Sequence, residues 1–118
     1  MHDTELAIMV MSGPNDGQVI YLSQQQGHGT IEPDGTWSLV LGRRDECDVT
    51  ILFDIQVSRH HAILSLAPNQ TLTLTDNGSS NGTFIGRERI QEAAPLERGQ
   101  LFRLGRTWLR VQPEMDKY

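Results

Sequence analysis

The chain has 118 residues, a single cysteine, 37% hydrophobic residues and a formal net charge of −5. This is the length and apolar content of one globular domain, and Cys47 alone excludes an intrachain disulfide framework or a cysteine-based zinc site. The acidic balance argues against general nucleic-acid binding, no apolar run reaches membrane-span length, and the acidic start without a basic leader does not read as a secretion signal, so no nucleic-acid or membrane partner is expected and the expected location is cytoplasmic.

Taken in chain order, the predicted elements are short and regularly punctuated. "LAIMVMSG" runs into the turn cluster "GPNDG", and "QVIYLS" leads to "QQQGHG". "SQQQGHGTIEPDG" is weakly patterned and reads as an extended hairpin or loop before the apolar "TWSLVLGR". "DVTILF", "HAILSL", "TLTLTD", "GTFIG" and "LFRLGRTWLRVQ" follow. In "TLTLTD", Thr71, Thr73 and Thr75 alternate strictly with Leu72 and Leu74, the period of a half-buried strand, and Ala62, Leu64 and Leu66 repeat it. No segment keeps helical spacing; the best helical candidate, "IQEAAPLERGQ", is broken by Pro95. Strands of five to eight residues with frequent turn signals predict an all-β fold, an antiparallel sandwich of two twisted sheets. One domain over 1–118 is expected, folded over about 5–112, with 113–118 a frayed tail.

Charge is segregated. Residues 1–42 hold five acids (Asp3, Glu5, Asp16, Glu32, Asp34) and no Lys or Arg, whereas all ten basic residues follow, nine of them Arg. Arginine's planar fork grips phosphate or carboxylate through two parallel bonds. Most of the nine read as decoration of strand faces.

Two polar stretches carry the candidate chemistry: "VSRHHAIL" (57–64) and "DNGSSNGTF" (76–84). A Ser58/His61 catalytic pair, with Asp54 or Asp76 as third member, lacks a nucleophile-elbow sequence and a helix N-terminus for an oxyanion hole. His60 and His61 are adjacent, so in extended chain they face opposite ways and do not chelate one metal together. His61 reads instead as a loop-bracing histidine whose ring nitrogens tie the Ser58 turn to the neighbouring loop. No enzyme activity, metal or cofactor is expected. One Asn-Gly pair needs no explanation beyond a tight turn. Two pairs bracketing Ser79-Ser80, joined by Ser58, Arg59 and Arg43, make a set of donors with few acids, suited to holding an oxyanion.

"LGRRDECDV", "VSRHHAIL" and "DNGSSNGTFI" resemble, in order, the Gly-Arg, Ser-Arg-x-His and Ser-x-Asn-Gly-Thr blocks of the forkhead-associated (FHA) domain. "LAIMVMSGPNDGQVIYL" and "LERGQLFRLGRTWLRV" resemble that family's opening and closing strands, so the likeness covers nearly the whole chain. The resemblance implies an eleven-stranded β-sandwich that binds phosphothreonine peptides through loops at one end, in Ser/Thr-kinase signalling. It implies Arg43 and Ser58 as phosphate ligands with Arg59 adjoining, Ser80 as a further hydroxyl, and Asn81 holding the peptide backbone. Gly42, His61, Gly82 and Thr83 correspond to architectural positions. The implied partner is a phosphothreonine-containing protein, a Ser/Thr kinase or its substrate. The alternative is a phospho-independent scaffold or dimerisation domain. The chain departs from the family at Gly86-Arg87, at Gln100, and in "DVTILFDIQ", about one residue longer than usual.

Overall fold

A computed structural model of the protein describes residues 4–113; apart from Pro113, the expected tail lies outside the described residues. Twelve strands form two six-stranded sheets. The first sheet comprises β1 (Glu5–Val10), β2 (Val19–Ser23), β8 (Thr83–Ile85), β9 (Glu88–Arg89), β11 (Leu101–Leu104) and β12 (Thr107–Val111), in the order β2-β1-β12-β11-β8-β9. The second holds β3 (Thr30–Ile31), β4 (Trp37–Gly42), β6 (Ala62–Leu66), β7 (Leu72–Asp76) and β10 (Ala93–Leu96), in the order β10-β7-β6-β4-β3, with β5 (Val49–Thr50) added on β4.

Alternation decides which residues face inward. Leu6, Ile8 and Val10 of β1, Trp37, Leu39 and Leu41 of β4, and Leu64, Leu74, Phe102, Leu104 and Leu109 are buried, while the residues that alternate with them, such as Ala7, Met9, Ser38, Val40 and Arg103, stay wetter. Because side-chain direction repeats every two residues, a one-residue slip would turn this whole set to solvent, so burial fixes the register. Trp37 is buried yet satisfied, its indole N–H donating to the His28 carbonyl at 2.7 Å.

The all-β expectation holds, with three refinements. The strands number twelve rather than eleven, several of them two-residue pairs. One pair is parallel: Leu41 lies beside Val49 and Gly42 beside Thr50. β3 and β5 thus share one edge of β4, and Asp48 fills the gap by accepting from Val40 N–H and Gly29 N–H, both at 2.8 Å. The expected long strand "DVTILF" shrinks to β5, after which the chain leaves the sheet for the loop. Finally, "IQEAAPLERGQ" contributes a strand, not a helix: Ala93–Leu96 pairs with β7, and Pro95 is tolerated because β10 is an edge strand. The weakly patterned stretch is in part a hairpin, Thr30 pairing Ser38 and Ile31 pairing Trp37. Among the described residues no helix is long and apolar enough to cross a membrane.

This topology brings the C-terminal ends of β4 and β7, the N-terminal ends of β6 and β8, and the β11–β12 turn to one end of the sandwich. The loops 43–48, 51–61 and 77–82 meet there.

Candidate functional site

At the end of β4, Gly42 allows two loops to touch. A Cβ built on it would lie 2.1 Å from the Arg59 carbonyl oxygen and 3.0 Å from Cys47 Sγ. The next residue uses that approach: Arg43 N–H donates to the carbonyls of both Ser58 and Arg59, at 3.1 Å each. The buried Cys47 thiol also donates to Arg59 O, at 3.1 Å, and burial pushes its pKa up, keeping it a thiol that brackets the loop. Arg59 therefore enters the framework through its carbonyl, while its side chain is exposed.

The Arg43 guanidinium is aimed by one bond. Its Nε donates to Val57 O at 2.9 Å, and among the described residues its two terminal nitrogens have no protein partner. Fixing Nε removes much of the side chain's rotational freedom and presents the terminal pair as a fork.

His61 is fully buried and joins two loops. Its Nδ1 accepts from Ser58 N–H at 2.9 Å and its Nε2 lies 2.8 Å from Gly82 O. A nitrogen that accepts from an amide carries no proton, so the ring is the neutral tautomer with Nε2–H donating to Gly82 O. Burial holds its pKa below the usual histidine value. Both ring nitrogens are committed to backbone, and Nδ1 meets the Ser58 amide rather than its hydroxyl, so the ring is not placed to act as a base on Ser58 Oγ.

The 77–82 loop closes over this frame. Ser80 N–H donates to Ser58 Oγ at 3.1 Å, joining residues 22 positions apart. With a lone pair of Ser58 Oγ so occupied, its hydroxyl proton remains to donate outward. Asn81 Nδ2 donates to Gln56 O at 2.8 Å, which leaves its side-chain oxygen and second N–H for another group. The loop's own shape comes from Asp76: Oδ1 accepts from the hydroxyls of Ser79 at 2.5 Å and Thr83 at 2.6 Å, and Oδ2 from Ser79 N–H at 3.3 Å. Ser79 Oγ in turn accepts from Gly82 N–H at 3.0 Å. Burial opposes ionisation of Asp76, but these donors outweigh it and hold its pKa below the ordinary carboxylate value.

All five predicted contact residues, Arg43, Ser58, Arg59, Ser80 and Asn81, thus belong to loops at one end, tied by backbone bonds within a few residues of one another. Gly42, His61, Gly82 and Thr83 lie beneath them as bracing. Sequence reading raised Asp54 and Asp76 only as third members of a catalytic set and missed that both carboxylates shape the loops. For Asp76 the signal is Asp-x-x-Ser, the spacing of a side-chain-closed turn. Asp54 is buried and accepts from Gln56 N–H at 2.9 Å and, at 2.7 Å each, from Arg106 N–H and the Thr107 hydroxyl. Burial works against its charge, and those three donors keep its pKa low. Leu52 and Ile55, 66% and 87% exposed, are also new, and Ile55 helps line a shallow groove with Pro14, Phe53, Gln56 and Arg106. Chemically, adjoining loops at the end of the sandwich carry a guanidinium fork, two serine hydroxyls and an asparagine amide, groups suited to a tetrahedral oxyanion.

A family model for the FHA domain matches residues 39–105. The chain is similar to the FHA domain-containing protein FhaB of Mycobacterium tuberculosis, 28% identical over 106 residues, which are 90% of this chain and 59% of FhaB. The chain therefore spans little more than half the length of that curated relative. Among solved structures it is similar to the FHA domain of the CT664 protein from Chlamydia trachomatis, with a TM-score of 0.75 and 21% identity over 95% of this chain and 100% of that one. It is also similar to a solved domain studied for phosphothreonine-dependent FHA domain interactions, with a TM-score of 0.71 and 23% identity over 95% and 99% of the two chains. At these identities the structural likeness speaks for the fold.

Proposed function

The chain belongs to the FHA domain family, and from that premise we propose that it is a phosphothreonine-dependent module that recruits phosphorylated partner peptides through the loops at one end of the sandwich. The module spans about 5–112, and it binds rather than catalyses. Its partner is a phosphothreonine-containing protein, a Ser/Thr kinase or a kinase substrate.

The observation that carries this reading is the bond from Ser80 N–H to Ser58 Oγ, which sets both serines beside Arg43. A phosphothreonine brings about −1.5 to −2 charges and three acceptor oxygens. The Arg43 fork and the hydroxyls of Ser58 and Ser80 match those oxygens in number and kind. Each charge-assisted bond contributes about 1.5–3 kcal/mol, and two or three of them account for most of a micromolar affinity, about −8 kcal/mol, after ordering costs. Asn81, with a side-chain oxygen and an N–H to spare, holds the peptide backbone. Arg59 adds charge at the rim.

Unphosphorylated threonine offers none of these acceptors, so the module reads a switch. The test is titration calorimetry with phosphorylated and unphosphorylated forms of one threonine peptide against wild type and Arg43→Ala. Wild type should bind the phosphorylated form alone, and the variant should lose at least about tenfold, the equivalent of about 1.4 kcal/mol. Wild-type affinity in the variant would remove Arg43 from the site. A phospho-independent scaffold finds support in the exposure of Leu52 and Ile55, which lie in the same 51–61 loop as Ser58.

A further inference from the structure

The 77–82 loop has a second cation at its edge. A Cβ built on Gly82 would lie 2.7 Å from Arg89 Nε and 3.0 Å from its Cζ, and Gly82 sits at φ +89°. The left-handed backbone favours glycine there, and the bare Cα lets the guanidinium lie against it. Arg89 is thereby seated on the residue that directly follows Asn81.

Its neighbours are already engaged. In register, Arg89 pairs Phe84, Phe84 pairs Arg103 and Arg103 pairs Trp108, so all four share the outer face of the first sheet. Arg103 lies over Phe84, 4.0 Å from its centroid, and 5.5 Å from that of Trp108, and its Nη1 donates to Gly105 O at 2.6 Å. On the other side of Asn81, Arg106 is met by Gln56: with its amide oxygen turned toward it, that residue accepts from Arg106 Nε and Nη2 at 3.3 Å each. Arg89 differs. It is exposed, and among the described residues its side chain has neither a hydrogen bond nor an ion pair. Its chain neighbour Glu88 belongs to the opposite face by strand alternation.

We propose that Arg89 is a specificity-determining residue that reads a carboxylate in the partner peptide beside the phosphothreonine. This rests on the phosphopeptide reading above. A peptide held by its backbone at Asn81 must run past Gly82, and a glutamate or aspartate there meets a fork whose donors are otherwise unspent. Phosphate recognition by Arg43 says whether the mark is present; Arg89 says which marked sequence is preferred. The contact is solvent-exposed, so its effect is modest, about three- to fivefold in affinity.

The experiment uses a neutral phosphothreonine peptide in which a single glutamate, or glutamine as its control, is moved stepwise through the flanking positions. Affinities are read by fluorescence anisotropy for wild type, Arg89→Gln and Arg89→Lys. Wild type should favour glutamate over glutamine about three- to fivefold at one or two adjacent positions. That ratio should fall to about one in Arg89→Gln and keep part of its value in Arg89→Lys, which retains the charge without the fork. A wild-type ratio near one at every position, or a ratio that survives Arg89→Gln, overturns the assignment while phosphate-dependent binding stands. Wild type binding no phosphothreonine peptide overturns the phosphopeptide reading and this assignment with it.

Discussion

Replacing Gly42 with alanine tests the joint between framework and site. The backbone of Gly42 lies outside the left-handed region, so alanine meets no conformational barrier there and the cost is steric. The new methyl would lie 2.1 Å from Arg59 O, 2.8 Å from its carbonyl carbon and 3.0 Å from Cys47 Sγ. Real methyl groups do not approach oxygen so closely, and the Arg59 carbonyl must retreat by about 1 Å. Such overpacking costs about 1–3 kcal/mol. The same carbonyl accepts from Arg43 N–H and the Cys47 thiol, and loosening these bonds adds about 0.5–1.5 kcal/mol each. The expected destabilisation is about 2–6 kcal/mol, and any folded fraction should bind phosphopeptide more weakly because Ser58 moves with Arg59. Gly78→Ala is the contrast: nothing lies within 4 Å of a Cβ there, φ is +70°, and the loss should be about 1 kcal/mol. Urea unfolding followed by fluorescence of the buried Trp37 measures both. Gly42→Ala within about 0.5 kcal/mol of wild type, or costing less than Gly78→Ala, would refute the steric reasoning.

Phosphopeptide binding should weaken steadily between low and high salt, since a dianion meets an arginine-lined rim; an affinity independent of salt would count against a phosphate-centred mode. Stability should fall on mild acidification. His61 is held neutral with its pKa below 6.5 by burial, so just below 6.5 the unfolded chain binds more protons than the folded one. Its contribution is complete above 6.5 and is lost as pH drops from there toward the folded pKa. His61→Gln cannot titrate and should flatten the stability profile in that window, as read by urea midpoints; identical slopes in the two proteins would show that His61 is not the sensor. Below about 4 the low-pKa carboxylates Asp54 and Asp76 should take over, their stabilisation being lost as pH falls from the ordinary aspartate value.

Much of the fold is legible along the chain because strand geometry is local. Alternation in "TLTLTD" and "HAILSL" reports directly on which side chains face the core, and Leu72, Leu74, Leu64 and Leu66 are all buried. The three polar blocks identify the loops in order. Pro95 rightly ruled out a helix, but that local effect says nothing of whether a sheet edge lies nearby to accept the proline in a strand. The parallel pairing of β4 with β5 has no local signature either, since two residues carry no period.

By itself the sequence determined an all-β chain, its turns, and a supply of arginine, serine and asparagine in three named stretches. Backbone stereochemistry acts over a few residues, and such features follow from it alone. Tertiary structure decided that Ser58 meets Ser80 from 22 positions away, that Asp76 organises its loop, and that Gly42 must be bare where Arg59 passes. It also seated Arg89 against Gly82 while laying Arg103 over Phe84. Those facts depend on how two sheets bury their apolar faces against each other, and burial is a property of the whole chain rather than of any stretch of it.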